Sequence, residues 1–231
     1  MPGIIVAAPD SCAKNLTDKI FIETSAAPLP APLDFHTDMQ FHYLGDGCAV
    51  VCPELFDYYT QRLSDYGIKI ICGGTPLKST YPEDIAYNVA RVSKKFALHL
   101  ARKTDSVLKN ELCRRSVTII NVPQGYTKCS VAPVAENAFI TSDKGIYDAV
   151  SEYKMDVLLI SEGNIELKPY PFGFIGGCCG LVSEKQMFFD GDLSTHPDGE
   201  RIVRFLEKYG ASPIEVKGKN LRDTGSVICV Q

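Results

Sequence analysis

The sequence predicts an α/β ring: five ββαβ units arranged as a pseudo-symmetric five-bladed propeller around a polar channel. Three observations predict it. Segments of one pattern recur at a spacing of roughly forty residues. Each copy reads strand, tight turn, strand, amphipathic helix, strand. Both ends of the chain, PGIIVAAPDS and NLRDTGSVICVQ, read as strands left over from complete units. One unit cannot cover its own apolar face, so the units must pack on one another. Closing them into a ring leaves no sheet edge bare.

The units follow in order along a single propeller, 1–231. The first, 35–73, turns at GDG and carries Leu55, Tyr58, Tyr59 and Leu63 at helical spacing. The second, 81–122, is a less regular copy. The third, 125–161, turns at AEN; Thr141-Ser142-Asp143 supply capping chemistry ahead of Ile146 and Val150. The fourth, 173–217, turns at SEK; Ser194 to Asp198, with Pro197, precede Ile202, Phe205 and Leu206. The fifth combines 218–231 with 1–25, so both chain ends close it. The proline-rich stretch from Ala26 to Pro32 reads as a connector inside the ring.

Composition narrows the function. The formal net charge is −4 with no basic run, which disfavours nucleic acid as a partner. No apolar stretch is long enough to span a membrane. The start MPGIIVAAPD lacks a signal-peptide pattern. The nine cysteines are odd in number, and a cytoplasmic setting with reduced thiols is expected. Cys48 and Cys52 have metal-like spacing but no second pair. The apolar N-terminal arm offers a face to a second copy of the chain, so a homo-oligomer is among the expected partners.

Two of the four histidines lie in DFHTDMQFHYLGDG, 34–47. On a strand, His36, Asp38, Gln40 and His42 would share one face and Phe35, Thr37, Met39 and Phe41 the other. An inner strand of the ring would turn the polar face to the channel. Residues six apart on a strand lie ~20 Å apart, so His36 and His42 cannot share a metal ion, whereas His36 and Asp38 can if other units add ligands. His99 and His196 read as structural, the latter near a helix start.

This architecture resembles the guanidino-modifying enzymes, the superfamily of dimethylargininase, arginine deiminase and the amidinotransferases. The segment FHTDMQFHYLGDG is similar to the dimethylargininase pattern of a histidine followed by a Leu-Gly-Asp-Gly-like turn, which makes His36 the expected catalytic histidine. Tyr87-Asn88-Val89 stands where the family carries an Ala-Asn-like pair. QGYTKCS resembles the Gly-Gly-x-x-Cys motif and makes Cys129 the expected nucleophile. Those three units close the familiar chains but come first here, so the resemblance implies a circularly permuted ring. It also implies carboxylates in the fourth unit, where GFIGGCCG has none, and a Glu-Gly-Gly-Asp-like stretch in the fifth, where LRDTGSV offers Asp223. The glycines of GFIGGCCG either let backbones approach closely or form an anion nest. The QGYTKC and FIGG stretches resemble an uncharacterised bacterial branch of the fold.

The resemblance implies a thiol-dependent amidine or guanidine hydrolase or amidinotransferase acting on a small cationic guanidino compound, with no cofactor and no resident metal. Cys129 would attack the guanidine carbon and His36 would move protons. Asp38, Asn88, Asp223 and Gln124, the residue that opens QGYTKCS, are the expected substrate contacts. Cys229 in GSVICVQ is the rival nucleophile. Two other functions remain open: a non-catalytic binding protein on the same ring, as the ribosome anti-association factor is on a related fold, and a metal site.

Overall fold

The structure, a computed structural model, describes residues 2–230. First in chain order are β1 (Gly3–Ala7) and β2 (Lys19–Glu23), paired in parallel across a single 3-10 turn at Cys12–Asn15. A short helical turn, α1 (Thr37–Gln40), leads into β3 (Phe41–Gly45), which is antiparallel to β4 (Cys48–Val51). Helix α2 (Phe56–Leu63) returns the chain to β5 (Lys69–Cys72), parallel to β4. The next sheet repeats this with β6 (Ala90–Arg91), β7 (Phe96–His99), α3 (Ser106–Arg114) and β8 (Thr118–Asn121). A second helical turn, α4 (Thr127–Ser130), precedes β9 (Val131–Ala135), β10 (Ala138–Thr141), α5 (Lys144–Ala149) and β11 (Asp156–Leu159). The fourth sheet holds β12 (Cys179–Ser183), β13 (Gln186–Phe189) and β14 (Ser212–Glu215), with α6 (Gly199–Lys208) before β14. Last, β15 (Ile228–Val230) pairs antiparallel with β1.

The result is five three-stranded mixed sheets, the five-bladed α/β propeller expected from the repeats. The fifth blade, β15-β1-β2, is built from both ends of the chain. Inner strands β3, β6, β9, β12 and β15 stand side by side around the axis. Outward, helices bury the sheets: Tyr59 and Leu63 of α2, Leu108 and Leu112 of α3, Ile146 of α5, and Ile202 and Leu206 of α6 are fully covered. Local chemistry sets the helix starts. Asp105 and Asp143 each accept from the third backbone N–H of their helix, Leu108 at 2.9 Å and Ile146 at 2.8 Å. The turn between β3 and β4 runs through left-handed Asp46 and Gly47, and Asn137 plays the same part between β9 and β10.

Two expectations are corrected. Residues 37–40 form a helical turn, not the start of an inner strand, so the alternation of His36, Asp38, Gln40 and His42 does not put them on one face. The turn is fixed from outside: Asp38 N–H bonds to Gly225 of the fifth blade at 3.0 Å, and Phe41 N–H closes onto Thr37. The N-terminal arm does not offer its apolar face to another copy. β1 is the middle strand of its own sheet, and Ile4 to Ala8 are buried within the chain.

Candidate active site

Each inner strand is entered through a short irregular lead-in, and the candidate residues sit on these lead-ins rather than on the strands. His36 and Asp38 precede β3, Asn88 precedes β6, Cys129 precedes β9, Gly176 and Gly177 precede β12, and Asp223, Gly225 and Ser226 precede β15. Five-fold repetition brings the lead-ins together at the floor of one cavity of about 230 Å³. His36, Cys129 and Asp223 line that floor.

Asn88 joins three of the lead-ins. Its carbonyl oxygen accepts from the backbone N–H of Lys128 at 2.7 Å and of Cys129 at 3.3 Å. Its amide donates to the Asp38 carbonyl at 3.1 Å and reaches Cys129 Sγ at 3.1 Å. The side chain is fully buried and is not among the residues lining the cavity. Gln124 is likewise not among them. Its amide donates to Asp143 at 2.7 Å and its oxygen accepts from Tyr126 N–H at 3.0 Å, which spends both ends on the loop ahead of α4.

The two carboxylates are held differently. Asp223 accepts from Phe174 N–H at 2.9 Å and Gly225 N–H at 3.0 Å, and its Oδ1 lies 3.8 Å from His36 Nδ1. Asp38 Oδ2 accepts from Ser226 Oγ at 2.6 Å, while Lys128 Nζ donates to the same hydroxyl at 3.0 Å. Asp38 Oδ1 and His36 Nδ1 are buried with no hydrogen-bond partner. Burial pushes the Asp223 carboxyl up, and the charge of Asp38 adds to this against the pull of His36. Burial likewise pushes the Cys129 thiol well above its ordinary value, with the charges of Asp38 and Asp223 acting in the same direction. Both effects disfavour the thiolate in the empty site.

GFIGGCCG builds this floor without contributing a carboxylate. A side chain at Gly177 would collide with the Asp223 carboxylate, and one at Gly225, held left-handed at φ 84°, would collide with His36. Gly177 N–H bonds to the Cys129 carbonyl at 3.0 Å, and the Gly177 carbonyl accepts from Thr224 and Ser226. Of the two readings of these glycines, close backbone approach is the one the contacts support.

The remaining candidates separate. Gln40 donates to Asp34 O and accepts from Tyr59 Oη at 2.7 Å, away from the floor. His42 and Cys229 line a second cavity of about 180 Å³ formed by the inner strands. His99 is buried beside Thr104 Oγ1 at 2.7 Å, and His196 Nδ1 accepts from Asp198 N–H at 3.0 Å. His36, Asp38 and Cys129 each offer one ligand atom, all within 4.8 Å of one another. Cys129 thus stands where a third donor beside His36 and Asp38 would have to stand. Cys48 and Cys52 join no such group among the described residues.

Sequence reasoning missed Ser226 and most of the cavity wall. Leu33, Tyr126, Leu167, Tyr170, Phe172 and Phe174 enclose the space above the floor. The only available sign was the run of aromatic and proline residues in KPYPFGF.

Solved structures with this fold share little sequence with the chain. DDAH from Pseudomonas aeruginosa, a Cys-to-Ser mutant complexed with citrulline, matches with a TM-score of 0.59 at 10% identity, over 94% of this chain and 92% of that one. The inosamine-phosphate amidinotransferase of Streptomyces griseus matches with a TM-score of 0.57 at 14% identity, over 95% and 78%. The agmatine deiminase of C. jejuni matches with a TM-score of 0.55 at 9% identity, over 96% and 82%. At these identities the likeness establishes a shared fold. No curated protein matches the sequence. A family model described as "Family of unknown function (DUF6873)" matches residues 7–228, and the chain belongs to that family.

Proposed function

We propose that this chain is a thiol-dependent amidine or guanidine hydrolase or amidinotransferase, with Cys129 as nucleophile and His36 as acid and base. One observation carries the reading. Two buried carboxylates flank a buried thiol, and Asp38 Oδ1 and His36 Nδ1 have nothing to bond to. A planar cation built of N–H donors fits that deficit, because each carboxylate oxygen can accept a charge-assisted hydrogen bond. The three relatives by fold are named for reactions or ligands of this chemical class.

The chemistry follows from charge. Burial first, and then the charges of Asp38 and Asp223, disfavour the thiolate in the empty site, and a bound guanidinium would cancel the carboxylates' field and favour it. The thiol proton passes to His36. Sulfur then bonds to the guanidine carbon, and His36 returns the proton to the departing nitrogen as the C–N bond breaks. A thiouronium on Cys129 results. His36 next takes a proton from an incoming water or amine, which bonds to the same carbon, and returns that proton to sulfur as the C–S bond breaks. Water gives hydrolysis and an amine gives amidino transfer. Asn88 holds the sulfur in place throughout. The ring order of histidine, asparagine and cysteine supports a family-like site opened at a different point of the ring.

A second reading rests on the same residues. His36, Asp38 and Cys129 are an acceptable donor set for zinc. Metal analysis of the purified protein, with thiol profiling by a haloacetamidine and peptide mass spectrometry, separates the readings. The enzyme predicts Cys129 labelled far ahead of the other eight cysteines, blocked by free guanidinium, and slowed in His36→Ala. Stoichiometric metal that Cys129→Ser abolishes would establish the metal reading. Uniform slow labelling without metal would leave a non-catalytic binding protein.

A further inference from the structure

The floor of the cavity selects a cation, and its walls select what that cation is attached to. The wall residues are two leucines, Leu33 and Leu167, the proline Pro171, and four aromatic rings, Tyr126, Tyr170, Phe172 and Phe174. Tyr126 and Phe174 are stacked with centroids 6.5 Å apart, and Phe172 meets Phe174 edge-on at 6.4 Å. The Tyr126 hydroxyl is engaged by Asp84 at 2.7 Å. Among the described residues, no lysine or arginine lines the cavity. Lys128, the base next in sequence to the nucleophile, points its Nζ at Ser226 and lines the second cavity. Lys168, in the same loop as Tyr170, is exposed and outside the lining.

We infer that the substrate is a guanidine or amidine with a short apolar tail and no carboxylate, such as an N-alkyl or N-arylalkyl guanidine, instead of a guanidino amino acid. This rests on the function proposed above and adds the substrate class. A tail carboxylate would be desolvated against aromatic and leucine side chains with no cation to pair it, and would feel the two carboxylates of the floor. An apolar tail exchanges water for the same surface favourably. Size agrees. A cavity of about 150 Å³ accepts a benzene ring, so about 230 Å³ accommodates a guanidinium head with a short chain or one ring.

The test is a pair of ligands identical except for the carboxylate. Cys129 of the intact protein is labelled with a haloacetamidine while guanidinium, n-propylguanidine or γ-guanidinobutyrate competes. n-Propylguanidine is expected to protect at a concentration at least roughly tenfold below that of γ-guanidinobutyrate. Tyr170→Arg, a change at an exposed rim position, is expected to narrow that ratio, and an unmoved ratio counts against the inference. Equal or better protection by γ-guanidinobutyrate, with guanidinium also protecting, overturns this inference alone. If none of the three protects, the proposed function falls and the substrate class with it.

Discussion

Lys128 and Cys129 are adjacent in sequence yet line different cavities, and the two cavities have opposite character. Cys129 opens on a floor with Asp223, over the buried carboxylate of Asp38. Lys128 lines the space between inner strands together with His42 and Arg91. The acids sit on the lead-ins, whereas His42 and Arg91 sit on the strands β3 and β6 and Lys128, on the α4 lead-in, turns toward them. A polar link between them runs from Lys128 through the Ser226 hydroxyl to Asp38. A thiol among carboxylates is inert until a cation arrives, which suits a nucleophile that should react only with a cationic substrate. Cys229 lines the other cavity, with Arg91 and Lys128, instead.

The largest expected break comes from His36. His36→Ala should lower turnover roughly 10²–10⁴-fold, the usual weight of a general acid–base group, in a steady-state assay with an alkylguanidine. Next come the carboxylates. Asp223→Asn and Asp38→Asn should each weaken guanidinium protection and speed labelling of Cys129 by neutral iodoacetamide roughly tenfold, because a thiol pKa lowered by one unit gives about ten times the thiolate. A slower neutral reaction would contradict the assigned electrostatics.

The basic cavity should answer to acid. Burial, aided by Arg91, pulls His42 from 6.5 to about 3. The unfolded chain therefore binds a proton below about pH 6.5 that the folded chain refuses until about pH 3. Stability is unaffected by His42 above that window and falls through it on acidification, by up to roughly 1.4 kcal/mol per pH unit. His42→Gln should flatten the decline in denaturant midpoint measured across the window. A smaller effect is expected at the link. Lys128→Met should change the Cys129 labelling rate by only a few-fold, since its charge reaches Asp38 through Ser226. The smallest belongs to Gln124→Ala, which should cost about 1 kcal/mol of stability from lost loop hydrogen bonds and leave the labelling selectivity in place.

The blades were legible because their signal is repeated: alternating strands, GDG and AEN turns, and helices with apolar spacing recur often enough to outweigh local ambiguity. The pairing of both chain ends in one blade followed from counting the strands left over. His36, Cys129 and Asp223 were legible through their places in that repeat. The geometry at 36–42 was not. Four residues are too few to display a helical period, and polar residues two apart imitate a strand. What turns them is a hydrogen bond to Gly225, which is distant in sequence. Only the fold shows that both ends of the Asn88 amide are taken by Lys128, Cys129 and Asp38. The bonds of Gln124 to Asp143 and Tyr126 are equally invisible in sequence. The aromatic wall left no periodic trace, since irregular loops supply it.

The central claim is that the acidic floor makes Cys129 respond to cations. The most direct measurement is the ratio of Cys129 labelling rates by a haloacetamidine and by neutral iodoacetamide near neutral pH, in the wild type and in Asp223→Asn. The expected ratio is far above one for Cys129 and near that of free cysteine for Cys229, and the Cys129 ratio is expected to collapse in the variant. A Cys129 that reacts equally with both reagents, or keeps its preference without the Asp223 charge, would contradict it.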